Sequence, residues 1–188
     1  MRPTVVYRTA VSTVLARVSV VLAVLAIAYF AVTGGVPEVI RSGGVAGLFA
    51  TSMWVSFALP HVTVSDGGVT VRNIFRTTHV PWPILTGVDS RWALTIHTTE
   101  GDVGSWAIPA ASGFAARSSR DVAGQAERGV NANTVALAIG ARHRELRDAG
   151  YLGRRTVQRV LTERTWNRGA ITAVAVALAV AATGALLG

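Results

Sequence analysis

Apolar positions along this chain follow two different rhythms. Val18–Val32 (extending back to Ala10), Gly43–Leu59 and Gly169–Gly188 are nearly unbroken apolar runs, whereas apolar and polar residues alternate from His61 onward. A run of about 18 almost uncharged residues matches the hydrocarbon core of a bilayer, and soluble domains rarely carry several. The pattern predicts membrane-spanning helices over residues 10–33, 43–59 and 169–188, with a strand-rich segment between the second and the third.

The first run gives about 35 Å of helix, enough to cross, with Arg17 reaching back towards the polar side. It begins with Arg2 and Arg8, as a secretory signal would. Its length, and the poor cleavage site at Thr33-Gly34-Gly35-Val36-Pro37, favour a retained anchor. A turn holding Pro37 is expected over Gly34–Ser42. The second run is marginal, about 25 Å of helix ending at Pro60, so a re-entrant or interfacial arm stands beside the full span. Gly43 with Gly47, and Ala173 with Ala177, Ala181 and Ala185, would give smooth faces for close helix packing. The plainer reading is that glycine and alanine are common here.

From His61 the period changes. Val62 and Val64 alternate with polar neighbours, Asp66-Gly67-Gly68 supplies a turn, and Val69 and Val71 resume the alternation, which is a hairpin signal. Further strands are expected at His79–Trp82, Gly87–Ser90, Ala93–Thr98 and Val103–Ile108. Such spacing predicts a small antiparallel sheet or partly closed barrel over residues 61–109. Residues 110–168 read as an Arg-rich helical linker. Within it, Ala110–Arg128 is linker or weak helix, and Asn131–Ala149 is a helix capped by Asn131 or Asn133 and stopped at Gly150. Leu152–Arg168 is a basic juxtamembrane stretch.

The 188 residues carry a net charge of +8, with arginine the only strong base and no cysteine. Disulfides, thiolate metal sites and thiol catalysis are therefore excluded. The arginine bias, with abundant Ala, Val and Gly, points to GC-rich coding, and its charge draws the polar part towards anionic lipid or other polyanions. Arg2, Arg8 and Arg17 precede the first span and Arg154 to Arg168 precede the third, while Arg41 between the first two is offset by Glu38. By the positive-inside rule this predicts a multi-pass cell-membrane protein with its N-terminus and β domain cytoplasmic and its C-terminus outside.

Three stretches together form a recognisable pattern: Val69-Thr-Val-Arg-Asn-Ile-Phe-Arg-Thr-Thr-His-Val-Pro-Trp82, Ile84-Leu-Thr-Gly-Val88 and Arg91-Trp-Ala-Leu-Thr-Ile-His-Thr98. They resemble the bacterial pleckstrin-homology (PH)-like domains of actinobacterial membrane proteins. The resemblance covers about Val62 to Pro109 and touches the helix ending Arg144-Glu-Leu-Arg-Asp-Ala-Gly-Tyr-Leu152. It implies a PH-like barrel or sandwich capped by a helix, usually after two N-terminal spans. It implies no settled activity, since a fold does not confer a function. The third span and the long Arg-rich linker depart from the usual pattern.

The chemistry in reach is sparse. His61, His79, His97 and His143 lack metal-ligand spacing, and Asp66, Asp89, Glu100 and Asp102, at turns and strand ends, read as solvated. No catalytic residue, metal site or cofactor is expected. Trp54 lies in the second span, and Trp166 suits the headgroup belt before the third. Phe75, Trp82, Trp92 and Trp106 are the aromatics expected to define the small domain as core or rim, with an aromatic binding surface as the alternative. Arg72, on the polar side of a strand, Arg76, in a turn, and Arg91 are the candidate anion- or lipid-facing residues, against the plainer reading of a solvated face. The sequence thus predicts a non-enzymatic integral membrane protein whose fold class is α-helical spans plus a small all-β PH-like domain with a following helix. Its partners would be the lipid bilayer, anionic lipids, and an unidentified membrane or cytoplasmic protein. The alternative is an accessory subunit of a transport or cell-envelope assembly complex. A membrane enzyme and a nucleic-acid binder are disfavoured.

Overall fold

The structure is a computed structural model that describes residues 3–109, 130–152 and 161–187. It divides into two compact units, one of Met1–Ala10 with Pro60–Trp166 and one of Val11–Leu59 with Asn167–Gly188. The expected linker character of Ala110–Arg128, and the places of Arg154, Arg155 and Arg159, lie outside the described residues.

The second unit is helical. Helix α1 (Ala10–Phe57) is interrupted at Gly35, whose φ of 62° and ψ of −157° suit only glycine. There the chain folds back on itself. A Cβ on Gly43 would lie 3.7 Å from Ile27 Cγ1, atoms that an unbroken helix would hold about 24 Å apart. The nine-residue turn expected over Gly34–Ser42 is therefore a single-residue break. Pro37 falls in the first turn of the second arm, where no intrahelical partner is needed for the N–H it lacks. The second arm thus begins well before Gly43, and Ser42 Oγ bonds to the Glu38 carboxylate within it.

The last helix, α3 (Arg168–Leu187), runs against this arm. A Cβ on Gly44 would come within 3.0 Å of Ala181 Cα, and Gly184 abuts the Ile40 carbonyl. Of the expected alanine face, Ala181 packs against this arm, whereas Ala173 and Ala185 are exposed. Of the Gly43 and Gly47 pair only Gly43 packs, since nothing lies near Gly47. Among the described residues α1 and α3 are long and apolar enough to cross a membrane, with mean hydropathy of 2.3 and 2.0.

The first unit is a β-sandwich. One antiparallel sheet has the order β1 (Val5–Tyr7), β2 (His61–Val64), β3 (Gly68–Arg72), β4 (Arg76–Pro81), β8 (Glu163–Trp166). The other is β5 (Leu85–Asp89), β6 (Ala93–Thr98), β7 (Gly101–Pro109). The alternation read from the sequence fills the space between them. Val62, Val69, Val71 and Val80 from the first sheet meet Leu94, Ile96, Val103 and Ala107 from the second. The turn after β2 depends on Gly68, at φ 155°, because a Cβ there would collide with the Val80 carbonyl.

Helix α2 (Ala132–Asp148) covers the sandwich with Ala132, Val135 and Ile139, one stripe at helical spacing. Asn131 caps it, accepting from the Thr134 N–H while the Thr134 hydroxyl answers the Asn131 N–H, and Gly150 follows it at φ 76°.

Three expectations change here. The β domain is not confined to residues 61–109, because β1 is supplied by the N-terminal segment read as a basic flank. The stretch read as an Arg-rich helical linker over residues 110–168 contributes both α2 and β8 to this unit. The strand expected at His79–Trp82 starts at Arg76, and Trp82 instead opens a short 3-10 turn, Trp82–Ile84.

Candidate functional site

Two places on the sandwich carry the chemistry, one at each end of the five-stranded sheet. The register defines the first. Tyr7 pairs with Val62, His61 with Arg72, Arg72 with Thr77, and Arg76 with Trp166. The end of β1, the start of β2 and the end of β8 therefore share one edge of the sheet. From these same points the chain runs into its apolar helices, through Arg8 and Thr9, through Ala58-Leu59-Pro60, and through Asn167.

Three side-chain contacts draw β7 to this end. Asn73, in the turn after β3, donates from Nδ2 to the Gly104 carbonyl at 2.8 Å and accepts the Trp106 N–H at 2.7 Å. Thr9 Oγ1 donates to the Ala107 carbonyl at 3.0 Å. The Trp106 backbone is thereby fixed beside the turn that carries Phe75, and the residue is 59% exposed. The Arg76 guanidinium lies 4.6 Å over the ring of Trp166, which is 61% exposed. Arg76 is thus the first residue of β4 rather than a turn residue. Arg72 projects from the same end with its Nε buried and without a hydrogen bond, and Arg8 reaches His61 Nδ1 at 3.4 Å.

Arg91 and Trp92 belong to the turn between β5 and β6. Asp89 binds Arg91 side chain to side chain at 2.7 Å, which, with the Arg91 backbone N–H, holds the Asp89 carboxyl down at about 2. Arg91 is therefore already paired with a carboxylate. Trp92 is 90% exposed, so neither it nor Trp106 is a core ring.

Trp82 alone among the four proposed aromatics is core, donating from Nε1 to the Ser65 carbonyl at 3.1 Å. It marks the opposite end of the sheet. There a groove of about 620 Å³ is lined by Trp82, Pro83, Leu146, Tyr151 and Leu152 among others. Arg142 spans its rim, bonded to Asp66 at 2.6 Å and Glu145 at 3.1 Å. His143 stacks on Trp82, and burial, with repulsion from Arg147, pushes its pKa below the ordinary 6.5, against the opposing effect of a hydrogen bond that the imidazole donates to the Trp82 backbone.

The acids read as solvated all have partners. Besides Asp66 and Asp89, Asp102 binds His97 at 2.7 Å. The backbone N–H of Thr162 holds Glu100 below the usual carboxylate range. Sequence reasoning missed Asn73 and Arg142 because each acts across a long stretch of chain. Asn73 had one local signal, its place in a turn; Arg142 had none.

Residues 59–125 match the family model described as a bacterial PH domain. This stretch takes in β2 to β7, which the structure shows as two facing antiparallel sheets, and it supports a PH-domain-containing protein. No curated protein and no solved structure matches the chain. The residues that complete the sandwich at β1, α2 and β8 lie outside the matched stretch.

Proposed function

We propose that this chain is a non-enzymatic, multi-pass membrane protein that presents its PH-like domain at the cytoplasmic face of the bilayer, where it gathers a protein partner or anionic lipid. The observation that carries the reading is the shortness of three connections. β1, β2 and β8 are joined to lipid-length helices by so few residues that each strand end lies within about 14 Å of chain from a helix end. A domain tethered three times over cannot leave the membrane surface. Its sidedness rests on the arginines that flank the first and last helices. Interaction suits the surfaces available: exposed rings and arginines at one end, and an apolar groove with a charged rim at the other.

A second reading has its own support. Ile40, Gly43, Gly47, Ala173, Ala177 and Val180 help to line an apolar groove of about 920 Å³ between the second arm of α1 and α3. It suits a subunit of a transport or envelope-assembly complex whose helices do the binding.

Photocrosslinkers at Tyr151 on the sandwich and at Val176 in the helical groove, used in native membranes, separate the two. A discrete protein adduct from Tyr151 supports the interaction module. Adducts from Val176 alone favour the complex subunit. Release of the chain by alkaline carbonate would remove both.

A further inference from the structure

The tethered end of the five-stranded sheet has a composition of its own. Phe75, Trp106 and Trp166 are exposed there, beside Arg8, Arg72 and Arg76. Large exposed rings are costly in water, yet the backbone that carries Trp106 and the ring of Trp166 are held in place. Asn73 and Thr9 clamp the Trp106 segment from both sides, and Arg76 holds the Trp166 ring by cation–π contact. Indole and guanidinium together match a headgroup layer, which is apolar on one side and wet and anionic on the other. The strands that bear them end where the chain passes into α1 and α3, and β1 and β8 stand about 19 Å apart across the sheet. Three tethers spread over that width would hold the edge against the bilayer surface rather than let the domain swing.

We propose that this edge is a docking surface for an anionic phospholipid bilayer, with Phe75, Trp106 and Trp166 in the headgroup layer and Arg8, Arg72 and Arg76 against the lipid phosphates. The inference rests on the membrane-anchored reading and gives it an orientation. The Trp82 end, with its groove, then points away from the lipid. Each arginine near an anionic surface favours it about five-fold, so the docking depends on lipid charge.

The chain has no cysteine, so a nitroxide can be placed at one site at a time in the full protein, reconstituted in nanodiscs. Phe75→Cys reports the proposed surface. Gly169→Cys, in open space in the first turn of α3, reports the tether, and Gly67→Cys, also in open space, reports the far end. Discs hold phosphatidylcholine alone or with a third phosphatidylglycerol, and the readout is protection from a water-soluble nickel chelate relative to oxygen. The expected result is protection at Gly169 and Phe75 but not at Gly67. Phe75 should be more protected in the anionic discs, and that gain should be lost in Arg8→Gln/Arg76→Gln. Protection at Gly169 with Phe75 as accessible as Gly67 would overturn the docking and leave the membrane reading standing. Accessibility at all three sites would overturn both. Equal protection of Phe75 in the two lipid mixtures would overturn the role given to the arginines. Because Phe75 is an exposed turn residue, its replacement spares the core. An unchanged melting temperature confirms the fold in each variant.

Discussion

Replacing Asn73 with alanine tests how the two sheets are joined at the tethered end. Its side chain makes two bonds to the backbone of β7, at 2.8 Å to the Gly104 carbonyl and 2.7 Å from the Trp106 N–H. Each such bond contributes about 0.5–1.5 kcal/mol net, and partial exposure lets water replace some of it, so Asn73→Ala should cost about 1–2 kcal/mol. For a cooperative unit of roughly 100 residues that corresponds to a fall in Tm of about 5–10 °C. Asn73→Asp keeps the acceptor for Trp106 but sets a carboxylate oxygen against the Gly104 carbonyl, so at neutral pH it should fall at least as far. The assay is thermal unfolding of the detergent-solubilised chain, followed by tryptophan emission. A fall below about 2 °C in both variants, the scale of an ordinary surface change, would refute the idea that Asn73 fastens β7 to the first sheet.

Leu94 is fully buried between the sheets, so Leu94→Ala should destabilise the sandwich by about 2–5 kcal/mol, read from the same melts. Gly44→Leu would drive a side chain into the Ala181 backbone, 3.0 Å from where its Cβ must sit. It should part α3 from the second arm, seen as a longer distance between nitroxides placed at Ile40 and Val180. His143 has a folded pKa below its ordinary 6.5, so the unfolded chain binds the proton more readily. Its contribution should be complete above pH 6.5 and decline as pH falls below that value towards the lowered pKa. His143→Phe should remove that part of the pH dependence of Tm.

Local chemistry made some of this architecture legible and hid the rest. The β2–β3 hairpin could be read because Val62, Val64, Val69 and Val71 alternate around Asp66-Gly67-Gly68, and alternation records a sheet with one face buried. β8 has no such record. All four of its residues, Glu163 to Trp166, are exposed, so it exists through its pairing with β4 and not through any pattern of its own. β1 is three residues long and follows a basic start, which resembles the flank of a membrane span. Pro37 misled for a different reason, since proline signals a break inside a helix but is tolerated in the first turn. Among the site residues, Trp82 was recognisable as core-compatible. The exposure of Trp92 and Trp106 could not be foreseen, because burial of a ring is decided by the opposite sheet. The pairing of Arg91 with Asp89 was within reach of the sequence, two positions apart in a turn.

The proposed topology fixes the domain to the inner face of a membrane by helices that lie in lipid. Single cysteines in this thiol-free chain, probed on intact cells with a membrane-impermeant maleimide, test that most directly. Val36→Cys, at the bend of α1, should label on intact cells, and Gly67→Cys, on the sandwich, only after the cells are opened. Labelling of Gly67→Cys on intact cells would contradict the account.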